Sequence, residues 1–372
     1  MTNKLLRWFK TINYPSYIIF FVTAKCNANC KMCFYKDNMI KSQGMRNELT
    51  VEEYERISKN IKLINILGIS GGEPFLRQDL SEIVKVIYKN CSPLVVDLPT
   101  NGYFVESVIR QTEDILKYCK DMVVDLQLSI DGPENIHNEI RGLKDGFKRV
   151  KETYKRLIPL KNIYKNLRVK ACVVYSHYNQ DYIEELFDIL EKDFKDLDRI
   201  VFSVVHGSVS NKESFDFDWD KYFKICDRIR ENAYVKNIFD FHSVFTIALR
   251  ITKNDFLKEV LKTKDMYKKC GAGKRVIAIN ETGKVFPCEP LWYAVGDLRA
   301  NNYDIGRVLN SAEMKNFNKK ITEGEKCNCH WGLPLSNTLI YKPKYYLKIF
   351  SEIFKIITRS TFGKKKRISI CL

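Results

Sequence analysis

Short apolar runs alternate with amphipathic segments over the first half of the chain. Six of the runs are rich in β-branched and aromatic residues, and each is bounded by segments whose polar residues recur at helical spacing. The runs cover residues 18–23, 64–69, 94–98, 122–130, 167–174 and 200–205. Strands that alternate with helices are typical of repeated βα units around a parallel sheet. We therefore predict an α/β fold from Tyr17 to about His206.

Chemically unusual residues follow the first four predicted strands. A cysteine cluster follows the first strand, Gly-Gly-Glu-Pro the second, Thr-Asn-Gly the third and Asp-Gly-Pro the fourth. Because parallel barrels carry their chemistry at the carboxyl ends of the strands, we expect these residues to meet at one edge. Six βα units are too few to close an eight-stranded barrel. We predict a partial parallel (β/α)6, TIM-like barrel that leaves room for a large substrate.

Changes in composition divide the chain into four predicted parts. Residues 1–213 form the barrel core, 214–269 a helical connector, 270–340 a small cysteine-rich domain and 341–372 a basic amphipathic tail. Glycine and cysteine become more frequent after Cys270, and residues 278–286 have the pattern of a β-hairpin. In the core, Thr50 with Glu53 and Asp79 with Glu82 have the spacing of helix N-caps.

The overall composition is that of a globular protein. Of 372 residues, 45% are hydrophobic and 29% are charged. The longest apolar run near the start is far too short to span a membrane, and no signal-peptide cleavage site follows it, so we expect a cytoplasmic location. Twelve cysteines in such a chain indicate metal or redox chemistry and not a disulfide framework.

The positive charge is concentrated at the C-terminal end. The formal net charge is +17, and residues 341–372 contain nine Lys or Arg and one Glu, a net +8. There Lys348, Glu352, Lys355 and Arg359 recur at helical spacing opposite the apolar residues Leu347, Ile349, Phe350, Ile353, Phe354, Ile356 and Ile357. With the run Lys364 to Arg367, this pattern is typical of a helix on an anionic membrane, here the inner membrane face. A helix packed on the barrel explains it equally well.

Cys26, Cys30 and Cys33 place three thiols within eight residues. A structural zinc site normally has four protein ligands, whereas a 4Fe-4S cluster on three cysteines leaves one iron free to bind a cofactor. Zinc completed by a distant residue, or buried free thiols, are the alternatives.

The loop resembles the cluster-binding loop of the radical S-adenosylmethionine (radical SAM) superfamily, and the resemblance extends from about Tyr17 to His206. Met32 stands where that family usually has an aromatic residue beside the adenine. The resemblance implies a 4Fe-4S cluster and S-adenosylmethionine (SAM) as cofactors. It implies reductive cleavage of SAM to methionine and a 5′-deoxyadenosyl radical, with a reductant such as flavodoxin or ferredoxin.

Two further segments resemble SAM-binding motifs of the family. Gly71, Gly72, Glu73 and Pro74 are similar to the motif that meets the amino group of SAM. Ser129, Asp131 and Arg141 are similar to the segment that contacts its ribose and carboxylate, which implies that Ser129 and Asp131 hold hydroxyls and that Arg141 forms a bidentate pair.

The later cysteines, Cys270, Cys288, Cys327 and Cys329, resemble those of a SPASM or Twitch module, whose auxiliary clusters are iron–sulfur. Four thiolates are enough for one second 4Fe-4S cluster. A four-cysteine zinc site is the alternative, and His330 could replace one thiolate.

The resulting expectation is a SAM-dependent radical enzyme. Because the first cysteine of the cluster lies only 26 residues from the start, we favour a metabolite, glycan or lipid-linked substrate over a peptide that needs a separate binding domain. Radical modification of a peptide or protein is the alternative. A non-catalytic zinc or iron–sulfur module that binds nucleic acid is a second alternative, but the tail contains no known nucleic-acid module and the motifs after the strands would be unexplained.

Overall fold

The computed structural model describes residues 14–41, 47–235, 237–239, 241–263, 270–323, 332–340, 343–362 and 370–371. Within these residues, ten strands form one sheet in the order β10-β6-β5-β4-β3-β2-β1-β7-β8-β9. The strands are β1 Tyr17–Phe21, β2 Ile66–Ser70, β3 Val95–Thr100, β4 Val123–Ser129, β5 Leu167–Tyr175, β6 Arg199–Val204, β7 Val276–Ile279, β8 Lys284–Phe286, β9 Gly296–Asp297 and β10 Ile370–Cys371.

The first six strands are parallel and in sequence order, which confirms the predicted partial barrel. In β4 the residues that face the surrounding helices are buried, as in Leu126 and Leu128, while Gln127 and Ser129 on the opposite face are partly exposed. This alternation arises because successive side chains of a strand point to opposite faces. Because the strands are parallel, the carboxyl ends of β1 to β4 form one edge of the sheet.

Helices cover the outside of the barrel and extend beyond it. They are α1 Lys36–Lys41, α2 Val51–Lys59, α3 Leu80–Cys91, α4 Val105–Tyr118, α5 Glu134–Arg141, α6 Gly146–Leu157, α7 Leu160–Ile163, α8 Ile183–Asp193, α9 Trp219–Glu231, α10 Phe241–Thr263, α11 Ile305–Leu309, α12 Ala312–Glu323, α13 Gly332–Ile340 and α14 Tyr346–Phe362. In the part of the chain that the structure describes, none of them is long and apolar enough to cross a membrane.

Both predicted N-cap residues precede a helix, and one of them makes the side-chain hydrogen bonds of a cap. Thr50 and Glu53 form a reciprocal capping box at the start of α2. Asp79 also occupies the N-cap position, of α3, but its carboxylate makes no cap hydrogen bond. It accepts instead from Arg77 Nε at 2.7 Å, and a hydrogen bond to a charged partner is the stronger of the two.

The predicted hairpin is confirmed, and it joins the barrel sheet. Strands β7 and β8 are antiparallel, and β7 also pairs in parallel with β1, with Ile18 opposite Ile277. The opposite edge is extended by β10, whose Ile370 pairs with Ile200 of β6. The cysteine-rich segment and the end of the tail are therefore both attached to the barrel by backbone pairing, which the sequence did not predict.

Candidate functional site

The predicted cluster loop follows β1 and is held in place by the end of α5. Asn29 N donates to Arg141 O at 3.0 Å, and Lys31 N donates to Ile140 O at 2.9 Å. The side chain of Met32 is buried in the hydrophobic core. These bonds fix the backbone of the loop independently of any bound group.

The three cysteines of this loop lie partly exposed at the edge of the barrel. Ala28 N donates to Cys26 Sγ at 3.4 Å, and Arg141 Nη1 lies 3.8 Å from Cys30 Sγ. Burial raises the pKa of Cys26 to about 12 and that of Cys33 to about 11. Cys26 and Cys33 therefore stay protonated near neutral pH unless a cationic centre compensates their charge. In the described ranges, no group of three or more His, Cys, Asp or Glu is close enough to hold a single metal ion.

Gly71 and Gly72 let the loop after β2 approach the cluster loop. Gly72 N donates to Thr23 O at 2.8 Å. A Cβ atom on Gly71, whose φ is +130°, would lie 2.4 Å from Thr23 O, and one on Gly72 would lie 2.1 Å from Lys25 O. The glycines are thus required for the contact between two protein loops. The expected contact of these glycines with the amino group of SAM stays a prediction.

Glu73 is buried and connects this loop to the end of β3. Its carboxylate accepts from Thr100 Oγ1 and Asn101 N, both at 2.8 Å, and from Phe75 N at 3.2 Å. Burial raises its pKa to about 6. A carboxylate has about four acceptor sites, so one remains for a further donor. Pro74 begins the short 3-10 helix Pro74–Leu76, where a missing N–H has no cost.

Asp131 and Arg141 form a buried ion pair. Arg141 Nε and Nη2 lie 2.6 and 2.5 Å from Asp131 Oδ2, and Val174 N donates to Asp131 Oδ1 at 3.0 Å. Both oxygens of Asp131 are therefore engaged, and the guanidinium faces Asp131 with two of its nitrogens while Nη1 points to Cys30. Ser129 lies nearby, at the end of β4. The predicted contacts of these three residues with SAM are untested.

Two buried donors near the loop have no hydrogen-bond partner among the residues that the structure describes. Asn27 Nδ2 makes no hydrogen bond, although Asn27 Oδ1 accepts from Asn101 Nδ2 at 2.9 Å. His137 Nε2 is also unpaired, and because His137 Nδ1 accepts from Asp131 N, Nε2 carries the proton. Burial lowers the pKa of His137 to about 3, so the ring is neutral. A buried donor without an acceptor is costly, and Asn27, between two of the thiols, is suited to an acceptor bound there. Three thiols, this amide and one acceptor site on Glu73 fit a cluster that binds a cofactor with a free ammonium group.

The second cysteine site is described only in part. Ala272 N donates to Cys270 Sγ at 3.4 Å, and the buried Cys288 follows β8. Cys327, Cys329 and His330 lie outside the described residues.

The two cysteine regions are in direct contact through groups that the sequence did not indicate. Tyr35 OH donates a short hydrogen bond to the buried carboxylate of Glu281. Trp292 packs on both Phe21 and Tyr35, with ring centroids 4.9 and 5.0 Å apart. Burial and the neighbouring Glu281 raise the pKa of Tyr35 far above its ordinary value, so the hydroxyl is always the donor.

A second contact runs between residues adjacent to the two sites. Phe34, next to Cys33, stacks on His206 at 5.1 Å, and His206 Nε2 lies 3.2 Å from Glu289 Oε1. Glu289 directly follows Cys288. Adjacency to the predicted ligands was the only signal in the sequence that could have singled out Phe34 and Glu289.

Two family models match the chain. One, described as the radical SAM superfamily, matches residues 20–190, and the other, described as an iron–sulfur cluster-binding domain (SPASM), matches residues 270–330. The matches coincide with the barrel that carries the first cysteine loop and with the segment that carries the later cysteines. A SPASM domain is an iron–sulfur domain, which supports a second cluster over zinc.

Curated relatives differ in how much of the chain they match. AdoMet-dependent heme synthase from Methanosarcina barkeri is 27% identical over 297 residues, 77% of this chain and 80% of that protein. Radical SAM cyclopropyl synthase TigE from Paramaledivibacter caminithermalis is 29% identical over 183 residues, 44% of this chain and 37% of that protein. The chain spans 31% of the length of a protein named probable GTP 3′,8-cyclase and 48% of the length of another named GTP 3′,8-cyclase.

Solved structures share the fold at low identity. The structure of anSMEcpe with bound AdoMet has a TM-score of 0.57 and 17% identity, over 92% of this chain and 96% of that one. Streptococcus suis SuiB bound to S-adenosylmethionine has a TM-score of 0.56 and 13% identity, over 85% of this chain and 71% of that one. At such identity the likeness shows the arrangement of barrel and C-terminal domain.

Proposed function

This chain belongs to the radical SAM superfamily of enzymes and carries a SPASM domain, and on that premise we propose that it uses SAM to modify a small organic molecule by radical chemistry. Superfamily members use a 4Fe-4S cluster and SAM. The observation that carries the site assignment is the fixed loop of Cys26, Cys30 and Cys33, held against Glu73 and Arg141.

The chain's own residues have distinct proposed roles at this site. When bound, the cluster and SAM supply reductive cleavage of the sulfonium, which yields methionine and a radical that abstracts hydrogen from the substrate. Asn27 Nδ2 donates a hydrogen bond to an acceptor beside the thiols. Glu73 uses its remaining acceptor site for a hydrogen bond from an ammonium. Arg141, oriented by Asp131, places a positive charge beside Cys30 and offers Nη1 to an anionic group.

The proposal of a small-molecule substrate is supported by the breadth of one match. The relative named as a heme synthase aligns with 77% of this chain, and its name indicates a small-molecule reaction. A peptide substrate is the second candidate, because anSMEcpe has been solved with bound AdoMet and a peptide and aligns with 92% of this chain. The barrel edge between the cysteine regions is the proposed substrate site in both cases.

Product analysis tests the proposed function. Protein reconstituted with iron and sulfide without oxygen, then reduced and given SAM, should form 5′-deoxyadenosine and methionine in equal amounts. A variant with Cys26, Cys30 and Cys33 changed to alanine should form neither. Absence of both products from fully reconstituted wild-type protein would contradict the proposal. If both products form, deuterated candidate porphyrins and peptides would identify the substrate class, because the substrate transfers deuterium to 5′-deoxyadenosine.

A further inference from the structure

Helix α14 has two apolar faces, and one of them is exposed. Ile349 and Ile356 are buried where the helix packs against α10. Leu347, Phe350 and Phe354 remain 84%, 63% and 72% exposed. Their spacing of three and four residues places them on the same side of the helix. The first face therefore packs on α10, and among the described residues none covers the second face.

Contacts with the preceding segments set the direction of α14. Val235 N donates to Ser360 Oγ at 2.9 Å, and Lys348 Nζ lies 2.8 Å from the carboxylate of Asp255. The chain passes from Val235 into α10 and reaches Asp255, while α14 runs from Lys348 to Ser360. The two helices are therefore antiparallel, and α10 begins at the end where α14 finishes.

Further aromatic side chains are exposed at this shared end. Phe362, the last residue of α14, is 85% exposed, and Phe239 and Phe241 at the start of α10 are also exposed. Scattered apolar residues on a surface are ordinary, but a stripe on one helix that ends among further exposed phenylalanines is not. Aromatic and leucine side chains of this kind are what interfacial helices insert into a bilayer surface.

The adjoining sequence supplies the charge that such a surface attracts. Four consecutive basic residues, Lys364 to Arg367, follow Phe362, and no Asp or Glu occurs between Phe362 and Leu372. Within the helix, Lys348 and Lys355 form ion pairs with Asp255 and Glu352. The run after the helix carries half of the net +8 of the last 32 residues, and residues 341–362 carry the other half, part of which these ion pairs neutralise.

We propose that the stripe of Leu347, Phe350 and Phe354 docks on a bilayer that contains anionic lipid. The positive charge after Phe362 favours anionic headgroups, and the stripe enters the boundary between headgroups and acyl chains. A second copy of the chain fits less well, because a symmetric contact would bring two segments of net charge +8 together. This inference is independent of the cluster chemistry.

Vesicle sedimentation of the reconstituted full-length protein tests the proposal. The protein should pellet with vesicles of phosphatidylcholine and phosphatidylglycerol, remain in solution with phosphatidylcholine alone, and dissociate at high salt. Phe350→Ser with Phe354→Ser should reduce the bound-to-free ratio by roughly tenfold or more. Ile163→Ser with Tyr118→Ser is the matched control, since both residues are exposed elsewhere, and it should leave binding unchanged.

A charge series separates specific docking from general attraction of a basic protein. Changing the residues from Lys364 to Arg367 to glutamine should lower binding at least tenfold. Changing four exposed lysines on other faces removes the same charge and should have little effect. These control residues are Lys59, Lys117, Lys148 and Lys221. Equal losses in the two variants would overturn the proposal.

Two further outcomes would also overturn it. The first is an intact protein that stays in solution with anionic vesicles at low salt. The second is a dimer by light scattering that becomes monomeric in the Phe350→Ser, Phe354→Ser variant, since the stripe would then contact a second copy. Unchanged thermal unfolding of each variant shows that the fold is intact. Formation of 5′-deoxyadenosine in solution should be the same with and without the stripe.

Discussion

The two cysteine regions begin with the same local contact but are held by different parts of the fold. In each, the N–H two residues after the first cysteine donates to its sulfur at 3.4 Å, from Ala28 to Cys26 and from Ala272 to Cys270. The first region is fixed by the ends of β1 to β4 and by α5. The second lies on a hairpin added beside β1.

The two regions differ in the contacts that hold them on the barrel. Backbone bonds and the Glu73 carboxylate hold the first region within the barrel. The second region is joined to the barrel through pairing with β1, through the backbone bond from Leu49 N to Glu281 O, and through side-chain contacts such as Tyr35 with Glu281 and Arg299 with Glu53. We therefore expect damage to the first region to abolish chemistry, and damage to the contacts between regions to reduce stability.

The largest effect should come from removing the first set of thiols. Changing Cys26, Cys30 and Cys33 to alanine should lower 5′-deoxyadenosine formation below detection, because no cluster remains to deliver an electron. Iron content should fall from about eight to about four atoms per chain, as expected for one remaining 4Fe-4S cluster. Iron and product assays on the same preparation check both values. Stoichiometric zinc with only about four irons in the wild-type protein would contradict the second cluster.

Removing the buried acceptor should weaken cofactor binding and leave the cluster intact. Glu73→Ala removes a charged partner of the SAM ammonium, and such a hydrogen bond is worth about 1.5–3 kcal/mol, so affinity should fall roughly 10- to 150-fold. Calorimetry of anaerobically reconstituted protein measures this change. Glu48→Gln is a nearby control, because Glu48 accepts from Thr23 but lies outside the proposed SAM contacts. Unchanged affinity in Glu73→Ala would show that the amino group of SAM binds elsewhere.

The same carboxyl should make SAM binding depend on pH. Burial raises the pKa of Glu73 to about 6, and only its ionised form carries the negative charge that pairs with an ammonium. As pH falls below about 6, protonation competes with binding, and affinity should fall by up to about tenfold per pH unit. Above about pH 7 the carboxylate is fully ionised and contributes no further change. Binding curves for Glu73→Gln should lack this step, and a step of equal size in that variant would assign the effect to another group.

Breaking the buried contact between the regions should reduce stability more than chemistry. Tyr35→Phe leaves the buried carboxylate of Glu281 without its hydroxyl donor, which costs about 1–3 kcal/mol in the free energy of unfolding. Urea unfolding measures the loss. Tyr118→Phe, at an exposed tyrosine, should have no comparable effect. If Tyr35→Phe matched that control, the contact would not hold the hairpin on the barrel.

The smallest effect on stability should come from the partly exposed ion pair between the regions. Arg299 forms a bidentate pair with Glu53 and holds the pKa of that carboxyl at about 2. Arg299→Lys keeps the charge but loses the paired geometry, and partly exposed pairs contribute about 0.2–1 kcal/mol. The loss measured in urea should lie below that of Tyr35→Phe. A larger loss would mean that the exposed pair is the main attachment of the second region.

The parts of the fold that the sequence predicted depend on local pattern. Buried β-rich runs located the six parallel strands, and the capping box at Thr50 was predicted because both partners lie within four residues. Strand β7 is entirely buried, so its pattern shows that it is covered but not that it pairs with β1. Parallel pairing between segments more than 250 residues apart leaves no mark in either sequence.

The candidate site also rests on local pattern. Short motifs located the cysteine loop and Glu73, but the partners of these groups come from distant elements. Tyr35 and Glu281 are 246 residues apart, and nothing near either residue indicates the other. At Arg141 the expected partner was a carboxylate of SAM, while the folded chain brings Asp131 against the guanidinium.

The most direct test of the account is electron paramagnetic resonance of the reduced, reconstituted protein before and after addition of SAM. If SAM binds at the cluster of Cys26, Cys30 and Cys33, it should change the signal in the wild type. It should do the same in a variant with Cys270 and Cys288 changed to alanine. The variant that lacks the first three thiols should keep a signal that SAM leaves unchanged. A SAM-dependent change in that last variant would place the cofactor at the second region and contradict the account.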